Sequence, residues 1–204
     1  MNSDRFTTFF KPRYLFLATI FVAAVCYLWQ LQALPFADYD EATYAQVTTE
    51  TLASGDLGTL QYLGKPWFEK PALDLWLALW TTRIFGTDEW AFRLPSALLA
   101  ILAIAFVWLI AYRLKDARVA TLAAIVLLAS PFYYLNSRQV RLDIPALAMM
   151  LGAVWALIYG WRNKNFLYLV APFLALALMV LVKENPTLAR RGAWYDYCHP
   201  LALV

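Results

Sequence analysis

Leu94–Tyr112 reads LPSALLAILAIAFVWLIAY, a run without a single Asp, Glu, Lys or Arg. A helix rising about 1.5 Å per residue needs roughly 20 such residues to cross the hydrocarbon core of a bilayer, and this run comes close. Tracts of the same kind lie at Tyr14–Ala37, Val119–Ser137, Ile144–Trp161 and Asn165–Val182. The whole chain of 204 residues is 62% hydrophobic, 17% aromatic and only 15% charged, whereas soluble domains run near half apolar and about a quarter charged. The expected fold class is therefore an all-α membrane protein with about five transmembrane helices. The apolar stretch of the first tract exceeds the roughly 7–15 residues of a signal-peptide core, and no clean small-x-small cleavage site follows, so an uncleaved anchor is expected.

Lys and Arg in short loops set the expected orientation. Arg5, Lys11 and Arg13 precede the first tract, Arg113, Lys115 and Arg118 join the second to the third, and Arg162 and Lys164 join the fourth to the fifth. These segments are expected on the cytoplasmic side, with the N-terminus. The long connection from Pro35 to Arg93, where acidic residues outnumber basic ones, is then outside. Arg138 and Arg141, in the loop between the third and fourth tracts, break this tendency and call for a local reason.

Several classes are disfavoured by the same composition. The formal net charge of +3 is too small and too scattered for a nucleic-acid surface. Cys26 and Cys198 define neither a disulfide framework nor a metal cluster. There is no Walker motif, no GxGxxG and no nucleophile elbow, so no nucleotide cofactor is expected.

The outer connection carries its own pattern. Asp38 and Glu41 in "DYDE" have capping-box spacing, and a helix is expected to run on through Thr43–Ala53 to a stop at Ser54 and Gly55. A second is expected over Pro71–Phe85, with Leu73, Trp76, Leu77 and Trp80 on one face; it is too short and too charged to span and should lie in the membrane interface. The fold class thus includes one or two amphipathic interfacial helices.

Three groups could carry chemistry: Asp38, Asp40 and Glu41; Glu69 and Lys70 within "GKPWFEKPALDLW" (Gly64–Trp76); and Arg138, Arg141 and Asp143 in "RQVRLD". Each has an ordinary structural reading beside the functional one. Asp38 and Glu41 suit capping as well as function, Glu69 and Lys70 suit a solvated loop, and Asp143 suits a helix N-terminus or an ion pair with Arg138 or Arg141. Asp40 has no evident capping partner, and Trp67, Phe68 and Pro71 give the Glu69–Lys70 pair a rigid, partly dry setting. Cations at the interface would meet a lipid-linked phosphate, a carboxylate would orient or deprotonate an acceptor, and aromatic faces would hold a sugar ring or an isoprenoid chain.

The ordered set "DYDEATYAQVTTETLASGDL", "GKPWFEKPALDLW", "FRLPSAL" (Phe92–Leu98) and "RLDIPAL" (Arg141–Leu147) resembles the N-terminal part of GT-C membrane glycosyltransferases, the bacterial relatives of dolichyl-phosphate-mannose protein mannosyltransferases, and within them the aminoarabinose transferases that modify lipid A. The likeness covers roughly residues 10–183. It implies an enzyme of the inner membrane that moves a sugar from a polyprenyl-phosphate carrier to a lipid or other acceptor outside the cytoplasm. By the same resemblance Asp40 and Asp143 are the catalytic candidates, and Lys70 meets the carrier phosphate. Glu41, Tyr44, Trp67, Arg138 and Arg141 complete the substrate-binding candidates, and Glu69 matches a glutamate that shares a zinc ion with a distant histidine.

The likeness ends after the fifth tract, where "VKENPTLARR" replaces a Lys-Gly-Pro-like sequence. Residues 1–183 are therefore read as the N-terminal part of a GT-C domain and 184–204 as a divergent tail, expected of a truncated or frame-shifted product. His199, the sole histidine, lies in that tail and is not assigned as the missing zinc ligand. Two rival readings stand beside the enzyme. One is a non-catalytic remnant or accessory subunit that binds polyprenyl lipid or a partner protein. The other is a small transporter or channel, which would call for charges inside the spans, where none occurs.

Overall fold

In the computed structural model the elements run α1 (Pro12–Leu28), α2 (Tyr39–Ser54), β1 (Gln61–Tyr62), β2 (Lys65–Pro66), α3 (Ala72–Phe85), α4 (Glu89–Leu114), α5 (Ala117–Leu128), α6 (Pro131–Ser137) and α7 (Asp143–Asn163). The structure describes residues 11–33, 36, 39–70, 72–164 and positions 168, 170, 172, 174 and 177. Asp38, Cys198, His199, the divergent tail and most of the fifth expected span lie outside the described residues.

Helix α4 is the axis of the bundle, with α1, α3, α5 and α7 packed around it. Its core-facing positions are mostly small: Ala97, Ala100 and Ala103 meet Ala23 of α1, Ala120 and Ala124 of α5 and Ala148 of α7 in one buried cluster. Small side chains bring helix backbones together where lipid gives no hydrophobic reason for them to associate. Gly152 of α7 continues this close approach, since a Cβ there would sit 3.0 Å from the Phe106 ring. Leu98 and Leu102 of α4, Leu122 and Val126 of α5, and Leu17 and Phe21 of α1 point away from the protein. Hydrophobic residues thus occupy both sides of these helices, as a lipid environment requires.

The described residues contain two helices long and apolar enough to cross a membrane, α4 and α7. A third span forms if α5 and α6 are counted together, although they are bent by 69°. Helix α1 is apolar but shorter. The expectation of one straight helix over Val119–Ser137 is therefore corrected. Pro131 has no amide proton and its ring clashes with the carbonyl of the preceding turn, so α5 stops and α6 restarts from Ser130, whose Oγ accepts from the Tyr133 amide. The break leaves α5 carbonyls without helical partners, and unsatisfied backbone is costly in lipid. Tyr27 of α1 meets this need by donating to the Leu128 carbonyl at 3.3 Å, while Tyr133 donates to Ala100 O of α4 at 2.7 Å.

Helices α2 and α3 form close to their expected limits. The expected stripe on α3 faces outward, with Trp76 and Trp80 exposed, and the core-facing stripe is Asp74, Leu75, Ala78, Leu79 and Thr82. An all-helical reading also missed the two-residue hairpin β1–β2, in which Gln61 pairs with Pro66 and Tyr62 with Lys65. Leu63 and Gly64 turn the hairpin with φ of 51° and 72°, a left-handed pair that matches the twist of a tight hairpin. Leucine at positive φ is no turn signal, which explains the miss.

At the far end of the bundle Arg162 donates to the Arg113 carbonyl at 2.6 Å. Two of the basic loops used for orientation therefore share one end of the molecule.

Candidate functional site

The three charged groups are distant in sequence, and the fold brings their neighbourhoods together. Tyr44 of α2, Trp67 after the hairpin and Val140 before α7 share one buried cluster with Leu60, Leu75 and Phe92, and Leu142 packs against it. The Tyr44 and Trp67 rings meet edge-on at 6.3 Å. The segment ending in Lys70 is pinned to α2 by backbone donors: Gln61 N to Thr51 Oγ1 at 2.9 Å and Gly64 N to Glu50 Oε2 at 3.2 Å. A further bond, Trp67 N to Leu60 O at 2.8 Å, closes the segment on itself. Trp67 turns inward while Phe68 and Glu69 are exposed and Lys70 is half-buried. The Trp67 indole N–H is buried with no hydrogen-bond acceptor among the described residues.

Glu41 is the clamp of this arrangement. Its carboxylate is fully buried and receives Arg93 Nε at 2.7 Å and Nη2 at 2.9 Å, while the Val140 amide donates to Oε1 at 3.1 Å. Arg93 Nη1 donates to the Leu31 carbonyl at 2.7 Å, and its guanidinium lies 5.3 Å from the Phe36 ring centre. Burying both charges is expensive, and bidentate geometry with extra donors is what offsets the desolvation. Glu41, expected as a cap or a substrate contact, thus ties α2, α4, the end of the α1 connection and the segment before α7 into one unit. Arg93 was missed as a site residue because in sequence it only bounds an apolar tract; its partner lies far upstream.

Asp40 and Arg141 are drawn to each other across the same junction, Arg141 Nη1 lying 3.9 Å from Asp40 Oδ2. With Arg141 27% and Asp40 53% exposed, this long, wet pair adds little to stability. Asp143 is exposed in the first turn of α7, where a carboxylate is favoured by the helix dipole.

Arg138 supplies the local reason for its exception to the loop-charge tendency. It donates from Nη1 to Cys26 O at 3.0 Å and Trp29 O at 2.7 Å, and from Nη2 to Gln30 O at 2.7 Å. These carbonyls lie where α1 ends, the one at Gln30 also accepting from the Ala33 amide at 3.0 Å, so Arg138 is a C-terminal cap. Replacing it by Ala is expected to lower unfolding stability by about 1.5 kcal/mol, the lower end for hydrogen bonds from a charged donor because the group is half exposed. Lys should recover little of this, since a compact ammonium cannot reproduce the fork. Thermal unfolding of the three proteins in lipid nanodiscs checks both statements.

Glu69 is the residue expected to share a zinc ion with a distant histidine, and the only histidine of the sequence, His199, lies outside the described residues. Glu69 is exposed, and no group of three or more His, Cys, Asp or Glu side chains among the described residues could hold a metal ion. Asp74, missed as a special residue, is the least ordinary group nearby. It is 1% exposed, both carboxylate oxygens lack a hydrogen-bond partner among the described residues, and burial pushes its pKa up to about 7.

Comparison with known proteins then places the chain. Residues 69–193 match the dolichyl-phosphate-mannose-protein mannosyltransferase family. The chain belongs to this family. Among relatives of this mannosyltransferase family, an undecaprenyl phosphate-alpha-4-amino-4-deoxy-L-arabinose arabinosyl transferase of Sodalis glossinidius is 30% identical over 189 residues, covering 80% of this chain and 34% of that protein. The Pseudomonas aeruginosa enzyme of the same name is 30% identical over 160 residues, covering 70% and 29%. The crystal structure of ArnT from Cupriavidus metallidurans bound to undecaprenyl phosphate superposes with a TM-score of 0.75 at 28% identity, covering 82% of this chain and 32% of that one. This family member therefore spans about a third of the length of the relatives it matches.

Proposed function

We propose that this chain carries the donor-side part of a glycosyltransferase site that takes a sugar from a polyprenyl phosphate and passes it to a lipid or similar acceptor at the outer face of the inner membrane. The observation that carries this reading is the joining of Tyr44, Trp67 and Val140 in one buried cluster, which brings the α2, Lys70 and Arg141 segments to one junction. The likeness to a transferase structure holding undecaprenyl phosphate supports the same chemistry.

Each residue then has a task. Lys70 lies two residues before the start of α3, whose first-turn amides carry partial positive charge, so an anionic phosphate at this lip meets both. Developing negative charge on the departing carrier phosphate is stabilised by that cation. Asp40, held near Arg141, orients the acceptor; an acceptor that is itself a phosphate needs no strong base, and Asp40 then serves by position. The unpartnered Trp67 N–H offers a donor to a substrate oxygen, and the Tyr44–Trp67 pair an aromatic wall. Zinc, expected from the resemblance, enters no step here. In this orientation the N-terminus and the Arg113 and Arg162 loops face the cytoplasm.

The test is sugar transfer from a radiolabelled polyprenyl-phosphate sugar by the purified chain in nanodiscs. Asp40→Asn is expected to lower turnover about a hundredfold or more, the scale of a lost acid–base or orienting group. Turnover by wild type and Asp40→Asn alike would remove Asp40 from the site. Donor binding without any turnover would favour the second reading, a binding remnant or accessory subunit.

A further inference from the structure

Helix α3 begins two residues after Lys70 and presents Asp74 from its first turn into the protein interior. Hydroxyls on the same core-facing side bond back to their own helix, as Thr82 does to Ala78 O at 2.8 Å. Asp74 has no such outlet, for both its oxygens are enclosed without a donor among the described residues. An ionised carboxylate cannot stay in such a place without a cation or hydrogen-bond donors. Helices α2 and α4 pack on α3. The buried titratable or charged groups they bring are Glu41 and Tyr44 from α2 and Arg93 from α4, and Glu41 and Arg93 hold each other. On its own segment, Lys70 is half-buried before the helix and Arg83 is exposed at its far end. Burial is what raises the Asp74 carboxyl.

We propose that Asp74 is a positioning residue for the Lys70 lip: its neutral carboxyl lets the first turn of α3 seat against the core, and loss of its proton to water releases that turn together with the lip it carries. The inference rests on the proposed function only in what the lip would hold.

The direction in pH follows from the raised pKa. An open state with Asp74 in water titrates near the ordinary value of about 3.9, and the seated state near 7. Seating is therefore fully favoured below the ordinary value and is lost progressively as pH rises towards about 7. Between those limits the opening equilibrium should grow by about tenfold per pH unit. Above neutrality it should level off.

Hydrogen exchange of the amides in residues 64–76, with the intrinsic pH dependence of exchange divided out, reads this opening in the whole chain in nanodiscs. Wild type is expected to show the rise of about tenfold per pH unit on the acid side of neutrality, and Asp74→Asn, which cannot ionise, to be flat. A flat wild-type profile overturns the proposal without reference to any variant. A slope shared equally by wild type and Asp74→Asn overturns it as well, by assigning the proton elsewhere. Undecaprenyl phosphate added to the same samples separates the two readings. Lipid protection that fades towards neutral pH in wild type but not in Asp74→Asn supports both. A pH-dependent opening with no lipid protection at any pH upholds Asp74 and counts against the carrier site.

Discussion

Glu41→Ala is expected to destabilise the folded chain by about 3–5 kcal/mol, the scale for removing one member of a buried ion pair. The reason is less the lost attraction than what remains. Arg93, 3% exposed, would stay buried and charged without its bidentate carboxylate, and the Val140 amide would lose its acceptor. Arg93→Met should be comparably severe, because it strands the Glu41 carboxylate. Replacing both by apolar residues of similar volume should cost much less than the sum of the two singles, as buried pairs exchanged whole often do. Thermal unfolding in nanodiscs for the two singles and the double measures that coupling. Additive losses would show that the two residues act independently and that the clamp is misassigned. The local consequence is equally specific: loss of the clamp should loosen the Val140 segment and so separate Arg141 from Asp40.

What sequence made legible was what local chemistry decides. The charge-free tract of α4 declared a span, and Pro71 and Ser54–Gly55 bounded α3 and α2 nearly where they lie. Pro131 was visible too, but inside an apolar tract the length of the run outweighed it, so the break between α5 and α6 went unread. The Glu41–Arg93 pair joins residues 52 positions apart, and nothing near either residue announces the other. On α3 two stripes compete; the aromatic one drew the eye because tryptophan suits an interface, while the stripe that holds the core contains an aspartate. Asp74 is informative for that reason: a carboxylate aligned with Ala78 and Thr82 at helical spacing breaks the pattern of the buried face. Arg138 stood out only by violating the loop-charge tendency, and its explanation, the carbonyls where α1 ends, required three dimensions.

Lys70→Ala is expected to weaken binding of undecaprenyl phosphate by about tenfold to a hundredfold, the equivalent of roughly 1.5–3 kcal/mol for a hydrogen bond to a charged group. Three features of its setting place it in that range rather than in the range of a surface charge. It is half-buried, so salt and water screen it less than a fully exposed lysine. The adjoining α3 N-terminus adds favourable potential for an anion. The backbone that carries it is anchored by the hairpin bonds to α2, so little ordering remains to be done on binding. Lys70→Arg should retain much of the affinity, since charge rather than shape is the main requirement for a phosphate contact. Lys115→Ala, on the α4–α5 loop at the other end of α4, should leave affinity unchanged.

The most direct test of the central claim, that the segments joined by Glu41, Tyr44 and Trp67 form a carrier-phosphate site, is equilibrium binding of undecaprenyl phosphate to the folded chain in nanodiscs, with Lys70→Ala and Lys115→Ala side by side. Saturable binding that falls in Lys70→Ala and survives in Lys115→Ala is the result expected. No saturable binding by folded wild-type chain, or equal losses in the two variants, would contradict the claim.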